Sequence, residues 1–138
     1  MPKFSNESLD LLEKVDPKLQ EVFHEVIKHM DCKILSGRRT LEEQKQLLAN
    51  GKTQTLKSKH LEGRAVDVAP YPVLWPDEKG ILVAEAEHRW KRFHVFAGFV
   101  LGIAKAKGID LVWGGDWDGD WVYNDQKFHD LPHFQLTP

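Results

Sequence analysis

The stretch at 58–70, SKHLEGRAVDVAP, decides most of what the sequence predicts about the fold. Residues 64–69 are mainly small or β-branched and predict a strand, which Pro70 ends. Asp67 lies in the middle of that strand, where a carboxylate is costly unless it is paired or binds a metal ion. Gly63 allows a tight turn just before the strand, because glycine accepts positive φ freely. The stretch therefore predicts a buried strand that carries a polar centre.

The segments on either side of this strand predict further helices and strands. Asp16 and Pro17 suit the start of a helix with one apolar face. Thr40 and Glu43 form a capping box at the start of another. The element order predicts an α+β fold in which a small antiparallel sheet packs against helices. The predicted helices lie at roughly 6–15, 17–30, 40–48 and 83–107, and the strands at roughly 32–36, 64–69, 109–113 and 132–136.

Composition limits the class of protein. The chain has 138 residues, of which 41% are hydrophobic, and we expect one domain over 1–138. A single cysteine excludes an intramolecular disulfide and a cysteine-rich zinc module. The net charge of −2 argues against a nucleic-acid binder. The N-terminus lacks the apolar region of a secretory signal, and no stretch is apolar enough to span a membrane. We therefore expect cytoplasmic synthesis, no stable membrane association and a monomer.

Three separated side chains could converge on a metal ion. With one cysteine in the chain, the donors must be histidine and carboxylate, and His60, Asp67 and His133 form such a set with an open coordination position. Asp130 lies three residues before His133 and could accept a proton there. Arg39 could bind a substrate carboxylate or stabilise an oxyanion. The alternative is structural, with Asp67 hydrogen-bonded inside the strand and His133 packed or exposed.

Aromatic and histidine residues near these segments have more than one interpretation. His129 adjoins Asp130 and is the alternative ligand, although adjacent residues of a strand face opposite sides. Trp117 is a candidate for lining a substrate cleft. We expect Trp75 and Trp90 to lie in the core.

An acidic loop is the second candidate for a cation. Asp116, Asp118 and Asp120 reproduce positions one, three and five of an EF-hand loop. The match then fails, because Trp121 occupies position six and Lys127 occupies position twelve. We expect a solvated loop that shapes the cleft, and a structural calcium site is the alternative.

Two motifs follow one another along the chain, S-x-H-x-x-G-x-A-x-D at 58–67 and D-x-x-H-F at 130–134. They resemble the D-Ala-D-Ala carboxypeptidase / L-alanyl-D-glutamate peptidase family of zinc peptidases (VanY-like), and in particular its phage endolysin branch. The segments SGRRT at 36–40 and GGDW at 114–117 are also similar to segments of that family. The resemblance spans about residues 36 to 136, which is most of the chain.

The resemblance implies a small α+β fold of the Hedgehog/D-Ala-D-Ala-peptidase type and assigns roles to residues. His60, Asp67 and His133 are implied as ligands of one catalytic Zn²⁺ ion, and Asp130 as the catalytic base. Many members have glutamate where this chain has Asp130, whereas the phage branch is similar in using aspartate. Arg39 is implied as a catalytic cation. The residues expected to bind substrate are Arg39, Ser58 and Trp117.

The function implied by the resemblance is hydrolysis of peptidoglycan stem peptides. An L-alanyl-D-glutamate endopeptidase of the phage endolysin type is expected, acting on the bacterial cell wall after release. The alternatives are a D-alanyl-D-alanine carboxypeptidase, a non-catalytic peptidoglycan-binding domain of the same fold, and a metal-dependent hydrolase of another small amide. The presence of both a candidate base, Asp130, and a candidate catalytic cation, Arg39, argues against a domain that only binds peptidoglycan.

Overall fold

A computed structural model of the chain describes residues 2–51, 59–121 and 129–137. None of the helices in these ranges is long and apolar enough to cross a membrane. The described helices are α1 (Asn6–Leu12), α2 (Pro17–Val26), α3 (Leu41–Ala49) and α4 (Val83–Ala106), with a short 3-10 helix at Lys59–Glu62. The described strands are β1 (Cys32–Ser36), β2 (Ala65–Pro70), β3 (Leu111–Trp113) and β4 (His133–Leu136).

The four strands form one antiparallel sheet in the order β1-β2-β4-β3. This arrangement confirms the predicted α+β class with a small antiparallel sheet. The register of β2 against β4 pairs Asp67 with His133, and the register of β1 against β2 pairs Ser36 with Asp67. Asp67 is therefore central in the sheet, with β1 on one side and β4 on the other.

The core lies between the sheet and helices α1, α2 and α4. Phe134 of β4 is fully buried, and its ring packs edge-on against Phe23 at 5.6 Å and against Phe96 at 6.2 Å. Such edge-to-face aromatic pairs stabilise a core beyond the apolar area that they bury. Since Phe134 follows His133 directly, this packing anchors the strand that carries a candidate ligand.

Local capping signals of the sequence are confirmed. The Thr40 hydroxyl accepts a hydrogen bond from the Glu43 N–H at 3.1 Å, and the Glu43 carboxylate accepts one from the Thr40 N–H at 3.2 Å. Asp16 caps α2 by accepting from the Lys18 N–H at 2.9 Å. Gly63 has φ +69°, and its carbonyl accepts from the Asp16 N–H at 2.8 Å. The tight turn before β2 therefore forms as expected and is tied to the start of α2.

Two expectations about packing are wrong. Trp75 and Trp90 were expected in the core, but they are 38% and 37% exposed. Trp75 lies in an irregular segment and stacks one face of its ring on Phe93 at 5.4 Å. Helical periodicity places Trp90 near the core face of α4, but it does not show whether another element covers the side chain.

Several element boundaries also differ from prediction: helix α1 ends at Leu12 rather than near Val15, and strand β3 begins at Leu111 rather than near Ile109. Helix α2 ends at Val26 rather than near Met30, because the Lys28 and His29 N–H groups bond to the Glu25 and Val26 carbonyls three residues back and so interrupt the α-helical pattern. The 3-10 helix at Lys59–Glu62 was not predicted.

Candidate metal centre

Three side chains from different elements converge on one point of the sheet. His60 comes from the 3-10 helix, Asp67 from the middle of β2 and His133 from the start of β4. Asp67 Oδ1 lies 3.2 Å from His60 Nε2 and 3.3 Å from His133 Nδ1. The three potential ligand atoms all lie within 4.8 Å of one another. His60 and His133 are only 1% and 6% exposed, so the cluster is largely shielded from water.

The remaining ring nitrogens are held by acceptors. His60 Nδ1 donates to the Gly37 carbonyl at 2.7 Å, and His133 Nε2 donates to the Gln135 side-chain oxygen at 2.8 Å. A carbonyl oxygen only accepts, so these nitrogens carry the protons of the neutral rings. The other nitrogen of each ring then directs a lone pair at the Asp67 carboxylate. With neutral rings, His60 Nε2, His133 Nδ1 and Asp67 Oδ1 are three electron-rich atoms in contact, an arrangement that a shared cation stabilises.

A proton on the His133 ring is one such cation, and the electrostatics of the centre reflect this. Burial opposes ionisation of Asp67, but hydrogen bonds with His133 and His60 outweigh it and hold the pKa of this carboxyl well below its usual range. Burial likewise opposes the charged form of His133, but its hydrogen bond to Asp67 raises the pKa of the ring above its ordinary value. The centre therefore favours a negative carboxylate that faces a positive charge.

The supporting acceptors Gly37 and Gln135 were missed from the sequence. Gln135 lies two residues after His133, so both side chains face the same side of β4, and this spacing was a usable signal. The Gly37 carbonyl gave no signal, because its contact with His60 depends on tertiary packing. Such partners commonly orient metal-binding histidines.

Asp130 lies at the edge of the cluster. Its Oδ2 is 3.9 Å from His133 Nδ1, and its side chain is 37% exposed. Burial and the negative charge of Asp67 raise the pKa of Asp130 above its ordinary value. The Asp130 N–H donates to the Gly114 carbonyl at 2.9 Å, and a side chain on Gly114 would collide with the Asp130 carbonyl. Glycine at 114 is therefore required for the close approach that sets Asp130 beside His133.

Arg39 contacts the carboxylate oxygen of Asp67 that the two histidines do not contact. Its Nη2 donates to Asp67 Oδ2 at 3.2 Å, and its Nη1 donates to the Gln44 side-chain oxygen at 3.2 Å. The Arg39 N–H also donates to the His60 carbonyl at 2.9 Å. Gln44 is fully buried and was missed from the sequence; a polar residue on the inner face of α3 was the available signal.

The other predicted site residues fall in different places. The Trp117 ring lies 5.2 Å from the His133 ring, beside the cluster. Ser58 lies outside the described residues. The His129 ring packs edge-on against Trp90 at 5.3 Å and is not part of the His60, Asp67 and His133 cluster.

The acidic loop is only partly solvated. Asp118 and Asp120 are exposed, as expected, whereas Asp116 is 3% exposed and contradicts the expectation of a solvated loop. Asp116 turns inward because its Oδ2 accepts a hydrogen bond from the Trp121 N–H at 2.8 Å. Burial raises the pKa of Asp116, and the nearby Asp118 and Asp120 carboxylates add to this rise. One carboxylate oxygen from each aspartate lies within 4.8 Å of the others, which is the proximity that the calcium alternative requires.

The His60, Asp67 and His133 cluster has the spacing of a metal site. In a tetrahedral zinc site with bonds of about 2.0–2.1 Å, neighbouring ligand atoms lie roughly 3.3–3.4 Å apart. The observed separations from Asp67 Oδ1 are 3.2 and 3.3 Å. The fold and this cluster together define a class of small α+β domain whose His-Asp-His centre can hold a metal ion.

Comparison with known proteins identifies the family. The model of the phage L-alanyl-D-glutamate peptidase family matches residues 1–137. An L-alanyl-D-glutamate peptidase of Escherichia phage T5 is 33% identical over 132 residues, which cover 90% of this chain and 88% of that protein. An L-alanyl-D-glutamate peptidase of Listeria phage A118 is 34% identical over 99 residues, covering 72% of this chain and 28% of that protein.

A solved structure supports the same conclusion. The L-Ala D-Glu endopeptidase ChiX of Serratia marcescens superposes with a TM-score of 0.73 at 30% identity, and the match covers 99% of this chain and 91% of that one. The chain belongs to the phage L-alanyl-D-glutamate peptidase family. The resemblance noted from the sequence motifs is therefore confirmed.

Proposed function

We propose that this protein is a zinc-dependent endopeptidase that hydrolyses the bond between L-alanine and D-glutamate in bacterial peptidoglycan, as a phage-type endolysin. The proposal rests on the family and on one observation in this chain. His60 Nε2, Asp67 Oδ1 and His133 Nδ1 face one another at metal-ligand spacing, with Asp130 at their edge. We assign His60, Asp67 and His133 as the ligands of a single zinc ion. The whole chain is then one catalytic domain, which acts as a monomer on the cell wall.

The donor set suits zinc. Neutral imidazole nitrogen and carboxylate oxygen are common zinc ligands, and three protein ligands leave a position open for catalysis. When bound, a zinc ion would supply Lewis-acid polarisation of the scissile carbonyl and lower the pKa of water toward about 7. Arg39 holds the second oxygen of Asp67, and so it fixes the carboxylate that both histidines face.

Asp130 is proposed as the general base and acid. Its carboxylate takes a proton from the attacking water as the water oxygen bonds to the carbonyl carbon of L-alanine. It returns that proton to the amine of D-glutamate as the C–N bond breaks. A carboxyl whose pKa is raised by burial and by Asp67 is suited to both steps, because proton transfer is most effective when the pKa approaches the working pH.

The remaining predicted site residues are proposed to bind substrate. Arg39 stabilises the negative charge that develops on the carbonyl oxygen, since its guanidinium lies next to Asp67 at the centre. The Trp117 ring beside His133 forms a wall for the peptide near the scissile bond. Ser58, the first residue of the S-x-H-x-x-G-x-A-x-D motif, also binds substrate in this proposal.

The proposed function is tested by digesting purified peptidoglycan and identifying the fragments by mass spectrometry. We expect new C-terminal L-alanine and N-terminal D-glutamate, with cleavage lost on chelation and restored by zinc. Release of terminal D-alanine alone would instead identify a carboxypeptidase. Zinc binding without cleavage of any wall type would contradict the enzymatic assignment.

A further inference from the structure

Two cavities border the metal centre through different residues. The first, of about 810 Å³, reaches the centre through Arg39, whose guanidinium touches Asp67. The second, of about 600 Å³, reaches it through Asp130. Within residues 2–51, 59–121 and 129–137 the two sets of lining residues share no member. A substrate bound across the centre can therefore place its two halves in two different environments.

The first cavity is cationic. Among the described residues its charged lining consists of Lys14, Arg38, Arg39 and Glu43, so positive side chains outnumber negative ones there, with Arg39 paired to Asp67. The carboxylate of Glu43 accepts hydrogen bonds from the Thr40 N–H and hydroxyl, which ties it to the start of α3. We refer to this space as the cationic cavity.

The second cavity is aromatic and carries no lysine or arginine among its described lining residues. Trp75 and Trp90 form part of its wall and are 38% and 37% exposed. In the part of the lining that the structure describes, the charged groups are the carboxyl groups of Asp77 and Asp130, next to the ring of His129. We refer to this space as the aromatic cavity.

The tryptophans of the aromatic cavity are held in place. Trp75 stacks on the buried Phe93 with a ring separation of 5.4 Å. Arg89 donates to the Trp75 carbonyl at 3.2 Å and to the Glu78 carboxylate at 2.9 Å, which fastens this segment to α4. The Trp90 ring rests against His129 at 5.3 Å. Exposed rings that are already ordered lose little conformational entropy when they bind a ligand.

The proposed substrate is asymmetric in the same way as the two cavities. On the D-glutamate side of the scissile bond, the stem peptide carries free carboxylates. On the L-alanine side, the lactyl carboxyl of N-acetylmuramic acid is consumed in an amide, so the attached sugar is uncharged. Sugar rings present apolar C–H faces that pack on tryptophan. Electrostatic complementarity favours the acidic half in the cationic cavity and disfavours it beside Asp77 and Asp130.

We propose that the aromatic cavity, with Trp75 and Trp90, is a saccharide subsite for the muramoyl group on the L-alanine side, while the cationic cavity receives the D-glutamate side. This inference rests on the proposed function and adds a direction of binding to it. It makes the preferred substrate a stem peptide that is still attached to glycan. Trp75 and Trp90 are then specificity residues, and they are distinct from the groups at the centre.

The test compares two synthetic substrates, the stem peptide with and without N-acetylmuramic acid on L-alanine. The measured quantity is the ratio of their kcat/KM values. We expect a ratio above one for the unaltered protein, and a fall of about tenfold in Trp90→Ala, as for the loss of one contact at a binding hot spot. Trp90→Leu keeps apolar volume on α4 without a planar ring and should show the same fall. Trp121→Ala is the matched control, because Trp121 is 55% exposed and lines a different cavity.

A second pair of substrates tests the direction. Arg38→Gln should reduce kcat/KM for a stem peptide with a free D-glutamate carboxylate more than for its amidated form. Lys18→Gln, at an exposed position of α2, should leave the ratio of the two values unchanged. An unchanged sugar ratio in both Trp90 variants would overturn the saccharide subsite. If the Trp90 variants instead change the ratio of kcat/KM values for the free and amidated peptides, the aromatic cavity binds the D-glutamate side. That result would also overturn the saccharide subsite. Failure of the unaltered protein to cleave either peptide would overturn the proposed function itself.

Discussion

The hydrogen bond from His133 to Gln135 gives a sharp test of how the centre is built. Gln135→Leu keeps the size of the side chain but removes the acceptor that lies 2.8 Å from His133 Nε2. The His133 side chain is only 8% exposed, so water replaces the lost acceptor poorly. The ring is then free to place its proton on Nδ1, the atom that faces Asp67. We therefore expect weaker zinc binding without a loss of any ligand.

The magnitude follows from the usual effect of removing a partner that orients a metal-binding histidine. Such changes weaken affinity by about 10- to 100-fold, which corresponds to roughly 1.4–2.8 kcal/mol. The assay is a competition titration with a chromophoric zinc chelator, with circular dichroism to check the fold. Gln46→Leu on the exposed side of α3 is the matched control and should bind zinc normally. Equal zinc affinities for the two variants would refute the role of Gln135 in orienting His133.

Further predictions concern catalysis and burial. Asp130→Asn should keep stoichiometric zinc and lose about 10²- to 10⁴-fold in kcat, the usual contribution of a general base; near-normal turnover would remove it from the mechanism. Arg39→Met should lower kcat/KM by about 10²-fold or more, and an unchanged value would make this residue structural. Cys32 is 4% exposed, and burial, aided by Asp31, raises the pKa of its thiol to about 12. Its thiolate is therefore scarce at pH 8, and a disulfide reagent should modify it only after unfolding; rapid labelling of the native protein would contradict this.

Local signals in the sequence predicted much of the fold. The capping box of Thr40 and Glu43 is predictable because both residues lie within one helical turn. The turn at Gly63 is predictable because glycine tolerates positive φ. Asp67 was recognisable as a site residue because a carboxylate between apolar neighbours needs a partner. In each case the physical cause lies within a few residues along the chain.

The remaining features depend on contacts between distant parts of the chain. The carbonyl of Gly37 meets His60 only after β1 and the 3-10 helix have packed, 23 residues apart in sequence. Trp75 and Trp90 were misplaced in the core because apolar character does not show which faces of a ring are covered. Likewise, Arg39 was predicted near the site, but its bond to Asp67 Oδ2 follows from tertiary packing.

The central claim is that His60, Asp67 and His133 hold one zinc ion, and zinc-edge anomalous diffraction from crystals grown with zinc tests it most directly. We expect one strong peak within about 2.0–2.2 Å of His60 Nε2, Asp67 Oδ1 and His133 Nδ1. The His133 Nε2 bond to Gln135 and the His60 Nδ1 bond to Gly37 should persist. A strong peak elsewhere, or ligation through the opposite ring nitrogens, would contradict this account of the centre.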